Sequence, residues 1–202
     1  MDVIEDPNIQ FVSELVGGTT IAKTFILKAL QHKKSVVTAN KALLASYGQE
    51  LFAAAQENGV DIWFEASVGG GIPCLKALRE GLAANHISEI LGILNGTCNY
   101  ILTRMETEHA DFNDVLKAAQ EAGYAEANPA LDVDGFDTAH KAAILASLAY
   151  GHWFNAKQVD TQGISSVTQQ DIQYATELGY RIKLLAIIKE VNGHIQLGVH
   201  PA

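Results

Sequence analysis

The stretch SVVTANKALLASYGQELFAAAQENGVDIWFEA, residues 35–66, decides the fold class. Ser35 to Thr38 is a β-branched run, ALLASYGQELFAAAQENG has the pattern of a helix closed by Gly59, and Val60 to Ala66 returns to strand character. Upstream, Ile9 to Val16 (IQFVSELV) is a short apolar run ended by Gly17-Gly18. Thr19 and Thr20 are placed to cap the helix that follows, IAKTFILKALQHK. Strands and helices alternating at these lengths form βαβ units with right-handed crossovers, so the sheet is parallel. The βαβαβ run makes one half of a doubly wound domain.

No G-x-G-x-x-G occurs in the chain. The glycine-rich loop after the first strand of a dinucleotide-binding domain is therefore absent, and the sequence is expected to begin inside such a domain. Gly69-Gly70-Gly71-Ile72-Pro73 breaks the alternation, and longer amphipathic helices follow. We expect residues 1–68 to be a partial, Rossmann-like dinucleotide-binding domain. Residues 69–202 are expected to be an α+β substrate-binding and dimerisation domain with a mixed sheet.

In that second part, residues 87–96 (ISEILGILNG) predict a strand ending in a turn, and TCNYILTRME predicts a helix with Asn95-Gly96-Thr97 in its cap region. Further helices are expected over Asp111–Gly123 and Asp134–Tyr150, and another behind Thr168. Residues 182–201 (IKLLAIIKEVNGHIQLGVHP) carry Asn192-Gly193 between two alternating runs, the type I′ hairpin dipeptide. A strand ending at Pro201-Ala202 leads us to expect a C-terminally incomplete domain.

Composition narrows the function. The 202 residues carry a net charge of −9, with 48% hydrophobic and 18% charged residues, which excludes disorder and coiled coil and provides enough chain for a core. The acidic balance offers no basic patch for nucleic acid or an anionic membrane. Cys74 and Cys98 have neither CxxC nor Cys/His ligand spacing, so a reducing cytoplasm fits the cysteine usage. No apolar run approaches the roughly 20 residues that span a bilayer, and the N-terminus has no signal-peptide pattern.

Chemistry-bearing side chains are densest in GYAEANPALDVDGFDTAHK, residues 123–141. Asp137 and Lys141 are four apart, on the helical stripe that continues through Ile144, Leu145 and Leu148. One reading is a surface ion pair contributing about 0.3–0.5 kcal/mol, with the acids serving the helix N-terminus. The other is a functional pair, because charges on a core-facing stripe are rare unless partnered. A lysine so placed exchanges a proton with a substrate oxygen, and surrounding acids hold an amino group. That suits a small amino acid with a hydroxyl or carbonyl further along its chain.

Lys41, in Thr38-Ala39-Asn40-Lys41, stands where a parallel strand turns into a helix, the end at which open α/β sheets bind ligands. A solvated lysine is the competing reading, although the positive helix N-terminus disfavours one. Thr19 and Thr20 follow another strand and serve either as caps or as ligand contacts. In Glu65-Ala66-Ser67-Val68-Gly69-Gly70-Gly71-Ile72 a carboxylate precedes flexible backbone whose carbonyls can converge on a cation; the alternative is a hinge. Cys98 and His140 are read as packing or surface groups.

The segments VTANKALLA, FEASVGGGIP, GILNGTCNYILTRM and GYAEANPALDVDGFDTAHKAAILA, in this order and separation, resemble homoserine dehydrogenase. The resemblance runs from about Ile9 to the end of the chain. It implies NAD(P)-dependent interconversion of L-aspartate 4-semialdehyde and L-homoserine, a step towards threonine, methionine and isoleucine. It implies that Lys141 is the proton donor and acceptor, with Lys41 second, and that Glu126, Asp137 and Asp132 bind substrate. Thr19, Thr20, Lys41 and Gly123 match positions beside the cofactor. A monovalent cation, usually sodium, would be bound by Glu65 and by backbone at Val68, Gly70 and Ile72. A homodimer or homotetramer pairing through the second domain's sheet is also implied.

Asn128 stands where the family often has aspartate, and Cys98 where threonine is common. Without the glycine-rich loop and the family's C-terminal segment, weak dinucleotide binding and little dehydrogenase activity are expected of the chain alone. A different reading makes it an inactive substrate-binding and assembly module. Schiff-base chemistry on Lys141 is disfavoured by the acids around it.

Overall fold

The computed structural model describes residues 2–202. They form two compact units, residues 2–86 with 143–156, and residues 87–142 with 157–202. The first contains a short helix α1 (Asp2–Glu5), then β1 (Phe11–Glu14), α2 (Ile21–Gln31), β2 (Ser35–Thr38), α3 (Lys41–Asn58) and β3 (Ile62–Trp63). A 3-10 turn at Glu65–Ser67 leads to α4 (Cys74–Lys76) and a π turn at Ala77–Gly81.

The three strands pair in parallel in the order β1-β2-β3, with Glu14 opposite Thr38 and Val37 opposite Trp63. This is the half-sheet expected from the alternation. Its outer strands are shorter than their apolar runs: Leu15 and Val16 stay exposed, and the third run turns into the 3-10 segment after Trp63. Helix α2 buries Ala22, Ile26, Ala29 and Leu30, one stripe at helical spacing. Thr20 occupies its N-cap position but makes no side-chain cap bond, so the expected capping role falls away. Asn40 caps α3 by accepting the Leu43 N–H at 3.2 Å, and Gly59 ends it at φ 68°. Ile26, Leu30, Leu43, Leu44 and Leu51 are fully buried, each contributing about 1.5–3 kcal/mol relative to exposure.

The second unit opens with β4 (Glu89–Gly92), α5 (Gly96–Glu108), α6 (Phe112–Glu121), α7 (Ala130–Val133) and the start of α8 (Phe136–Tyr150), which belongs to this unit through Ala142. It resumes with β5 (Asp160–Thr161), α9 (Gln169–Glu177), β6 (Leu184–Val191) and β7 (His194–Pro201). The sheet order is β4-β6-β7-β5, antiparallel except for the parallel β5-β7 pair, so it is mixed as expected. Leu184, Ala186, Ile188, Leu197 and Val199 supply its buried face. Asn192 and Gly193 take φ 52° and 76°, the left-handed pair that a type I′ turn requires. Thr168 caps α9 in a reciprocal box with Asp171. No described helix is long and apolar enough to cross a membrane.

One glycine in the first unit is dictated by packing. Gly48 lies buried in α3, and a Cβ there would fall 1.7 Å from Trp153 Cζ2. The same indole packs on Phe52 at 5.3 Å, and Phe52 meets Phe64 edge-on at 5.2 Å. Gly48→Ala is therefore expected to oppose helix propensity: alanine favours the helix by about 1 kcal/mol, but overpacking leaves a net loss of about 1–3 kcal/mol in urea unfolding. Trp153→Leu in the same background should narrow that loss, whereas a stabilised single variant would contradict the packing.

Candidate active site

The polar cluster of the second unit forms where two chain reversals meet the start of α8. Asp134 closes α7, and Gly135 takes φ 87° with its would-be Cβ only 3.1 Å from Thr161 Cγ2, so the chain turns there and α8 starts at Phe136 rather than Asp134. This leaves Asp137 in the first turn of α8, where a carboxylate suits the helix dipole. One helical turn later, Lys141 Nζ lies 2.6 Å from Asp137 Oδ2. The Asp137 side chain is only 7% exposed and that of Lys141 17%, which excludes the surface ion-pair reading. Lys141 also donates to the carbonyl of Leu94 at 2.6 Å.

Asn95, not among the residues singled out from the sequence, organises the cluster. Its Oδ1 accepts the Cys98 N–H at 2.8 Å as the N-cap of α5. Its Nδ2 donates to Asp132 Oδ1 at 2.7 Å and to Asp137 Oδ2 at 2.9 Å. Both amide hydrogens are thus used, and two carboxylates are held together by a neutral donor. The readable signal was the Asn-Gly-Thr cap; the partners 37 and 42 residues away were not readable.

Two acids against one ammonium leave a surplus of negative charge, which Cys98 registers. Its thiol pKa is pushed up to about 12, first by burial and then by Asp132, Asp137 and Asp134, with Lys141 acting in the opposite direction. Cys98 donates its S–H to the Asp132 carbonyl at 3.1 Å, consistent with the packing role expected of it.

Glu126 stands apart from this cluster. Its backbone is fixed, since Gln120 Nε2 donates to its carbonyl at 3.0 Å. The preceding Tyr124 stacks on Tyr100 at 4.6 Å and accepts a bond from Thr97 Oγ1 at 3.1 Å. The Glu126 side chain is exposed and makes no hydrogen bond or ion pair among the described residues. Gly123, at φ 77°, turns the chain out of α6 and has open space where a Cβ would stand.

The remaining candidates lie in the first unit. Thr19 is half-buried and Thr20 exposed at the start of α2, and Lys41 is the half-buried first residue of α3. Gly17 and Gly18 before them take φ 74° and 72° with open space beyond. Threonine hydroxyls, approachable glycine backbone and a lysine at carboxyl ends of parallel strands are a donor set suited to a dinucleotide. In the glycine loop, Glu65 Oε1 accepts the N–H groups of Leu75 and Lys76 at 3.0 and 3.1 Å. The Val68 carbonyl accepts the Cys74 S–H at 3.2 Å, and that of Ile72 the Cys74 N–H at 2.8 Å. Gly70 takes φ 59°, and Ser67 Oγ is buried there without a hydrogen-bond partner. The described residues hold no group of three or more His, Cys, Asp or Glu able to bind a metal, but one carboxylate with carbonyls and an unpartnered hydroxyl suits a monovalent cation.

A parallel sheet whose strand ends carry hydroxyl, glycine and lysine donors is the architecture of the dinucleotide-binding class of α/β domains. Family models agree: "Homoserine dehydrogenase, NAD binding domain" matches residues 1–65, and "Homoserine dehydrogenase" matches residues 73–202. The chain belongs to the homoserine dehydrogenase family. A homoserine dehydrogenase of Synechocystis sp. is 53% identical over 98% of this chain and 47% of its own length. The crystal structure of one from Thiobacillus denitrificans superposes with TM-score 0.98 at 52% identity, over 100% of this chain and 47% of that one. A hyperthermophilic archaeal homoserine dehydrogenase in complex with NADPH superposes with TM-score 0.81 at 29% identity, over 96% of this chain and 55% of that one. The chain thus spans about half the length of the relatives it matches.

The raised thiol pKa has a sign. Because the folded value, about 12, lies above the ordinary 9.0, its contribution to stability is complete below pH 9 and is lost as pH rises from 9 to about 12. At pH 8 Cys98 should resist a disulfide reagent in the folded protein and react once urea unfolds it; equal rates in both states would contradict the burial and the negative field.

Proposed function

We propose that the protein containing this chain interconverts L-homoserine and L-aspartate 4-semialdehyde with NAD or NADP. The observation that carries this reading is the lysine held at two points. Asp137 and the Leu94 carbonyl occupy two of the three N–H groups of Lys141, and the third is left for a substrate oxygen. When bound, the dinucleotide supplies hydride to the aldehyde carbon in one direction and accepts it in the other. Lys141, as ammonium, gives a proton to the developing alkoxide, and in reverse removes the proton from the homoserine hydroxyl. Lys41 is the second lysine of this reading and supplies positive charge from the dinucleotide part. Asp132, Asp137 and Glu126 bind the amino acid, and surplus negative charge in the cluster favours its ammonium group.

In this reading residues 1–68 are the dinucleotide part, with Thr19, Thr20 and Lys41 as contacts, and Gly123 is a further contact from residues 69–202. Glu65 and the backbone of Val68, Gly70 and Ile72 hold a sodium ion, whose charge fixes the glycine loop. The family resemblance supports a homodimer or homotetramer, and the cysteine usage supports a cytoplasmic location.

Calorimetric titration with L-homoserine tests the substrate site. Glu126→Gln is expected to weaken binding by about tenfold or more, the loss of a charge-assisted hydrogen bond. Unchanged affinity would remove Glu126 from the site. Lys141→Ala should lower turnover by about 10²–10⁴-fold with homoserine still bound, and a variant that turns over normally would overturn the proton-transfer assignment. Replacing sodium by tetramethylammonium should weaken substrate binding in the unmodified protein; indifference to the exchange would argue for a hinge.

A further inference from the structure

Glu14 is a buried acid with no part in the chemistry above. It ends β1, is 6% exposed, and lines a mainly apolar cavity of about 190 Å³ with Val12, Phe25, Ile26 and Val36. A carboxylate in such surroundings is costly unless its oxygens are satisfied. Both are satisfied: Oε1 accepts the Gly17 N–H at 2.8 Å, and Oε2 accepts the Thr38 hydroxyl at 2.8 Å. Thr38, 3% exposed, lies opposite Glu14 in the strand register, and its Oγ1 accepts the Asn40 N–H at 3.0 Å. Asn40 Nδ2 then donates to the Gly18 carbonyl at 2.8 Å. The result is a closed hydrogen-bond circuit, Glu14, Gly17, Gly18, Asn40, Thr38 and back to Glu14, tying together the loops after β1 and β2.

We propose that Glu14 is a positioning residue for dinucleotide binding, acting through its hydrogen bonds to Gly17 and Thr38 on the two loops that carry Thr19, Thr20 and Lys41. The inference rests on the reading of those loops as the dinucleotide part and goes beyond it by assigning what sets their geometry. The acceptor-only character of the carboxylate matters. Because Glu14 only accepts, the Thr38 hydroxyl must donate towards it, which leaves the hydroxyl lone pairs for the Asn40 N–H. A glutamine amide presents a donor in place of one acceptor, so it either opposes the Gly17 N–H or makes the Thr38 hydroxyl an acceptor on that side and leaves the hydroxyl hydrogen without an acceptor. Either arrangement leaves a buried polar hydrogen unpaired and weakens the circuit at one of its two loops, while size and shape stay almost unchanged.

The test is run on the natural protein that contains this chain, with NADPH and NADH as probes followed by nicotinamide fluorescence. Glu14→Gln and Thr38→Val should each weaken dinucleotide binding by about tenfold, as expected for a lost hydrogen bond to a charged group. Thr38→Ser, which keeps the hydroxyl, should bind like the unmodified protein, and homoserine affinity should be the same in all. Amide exchange at Gly17 and Asn40 should accelerate in both weakened variants while that of Val36 and Ile62 in the strands stays slow. Unchanged dinucleotide affinity and unchanged exchange in Glu14→Gln would overturn the proposal. So would a uniform loss of both affinities with a lowered unfolding midpoint, which marks a merely structural role. If the unmodified protein binds homoserine but neither dinucleotide, the reading of these loops fails first and the positioning role falls with it.

Discussion

The second unit depends on a buried ion pair, Lys141 with Asp137, set one helical turn apart at 2.6 Å. Burying two charges costs several kcal/mol per ion, and mutual attraction offsets this only when the remaining donors and acceptors are also matched. Here they are matched from outside the helix. Leu94 supplies a carbonyl to the ammonium, and Asn95 supplies amide hydrogens to the carboxylate and to its neighbour Asp132. Leu94 and Asn95 stand between β4 and α5, so the strand end, the cap of α5 and the first turn of α8 are bound into one network. Such a network is rigid because Asn95, Asp137 and Lys141 are each held at more than one point.

What could be read from the sequence was local. The Asp137–Lys141 spacing and the apolar stripe behind it placed the pair on a buried face, and Asn192-Gly193 marked the hairpin whose strands pair from Leu184 to Pro201. The alternation in residues 9–66 likewise yielded three parallel strands. Long-range choices were not readable. Asn95 looks like any helix cap until Asp132 and Asp137 arrive beside it, and Glu14 looks like a polar residue in an edge strand until Thr38 is brought opposite. Thr20 shows the converse, since good capping chemistry at the right position forms no cap bond where two left-handed glycines set the approach of the chain. Trp153 against Gly48 and the parallel pairing of the two-residue β5 with β7 also depend on tertiary neighbours rather than on local pattern.

Two devices in different units use one principle. Asn95 joins two carboxylates through a neutral amide, and Glu14 joins two loops through an acceptor-only carboxylate. In each, one buried polar side chain fixes backbone or side chains that belong to separate segments, and the cost of its burial is offset by complete hydrogen bonding. The polarity is opposite because the partners are opposite: acids need a donor between them, whereas an N–H and a hydroxyl need an acceptor. Exchanging either residue for its isostere reverses a donor or an acceptor without changing volume, so hydrogen bonding rather than packing determines which residue belongs there.

On the proposed reading, the acids of the second unit do not share one task. The charge of Asp137 is largely countered by Lys141 at 2.6 Å, so it contributes little attraction to a second cation. Asp132 accepts from the neutral Asn95 amide and has no ion-pair partner among the described residues. Glu126 is exposed and has neither an ion pair nor a hydrogen bond to its side chain among the described residues. On that reading most of the attraction for a substrate ammonium comes from Asp132 and Glu126, while Asp137, besides contacting the amino acid, orients the lysine that handles the proton. Placing most of that attraction on Asp132 and Glu126 lets the Asp137–Lys141 bond persist when substrate binds, so the lysine keeps its orientation through the reaction.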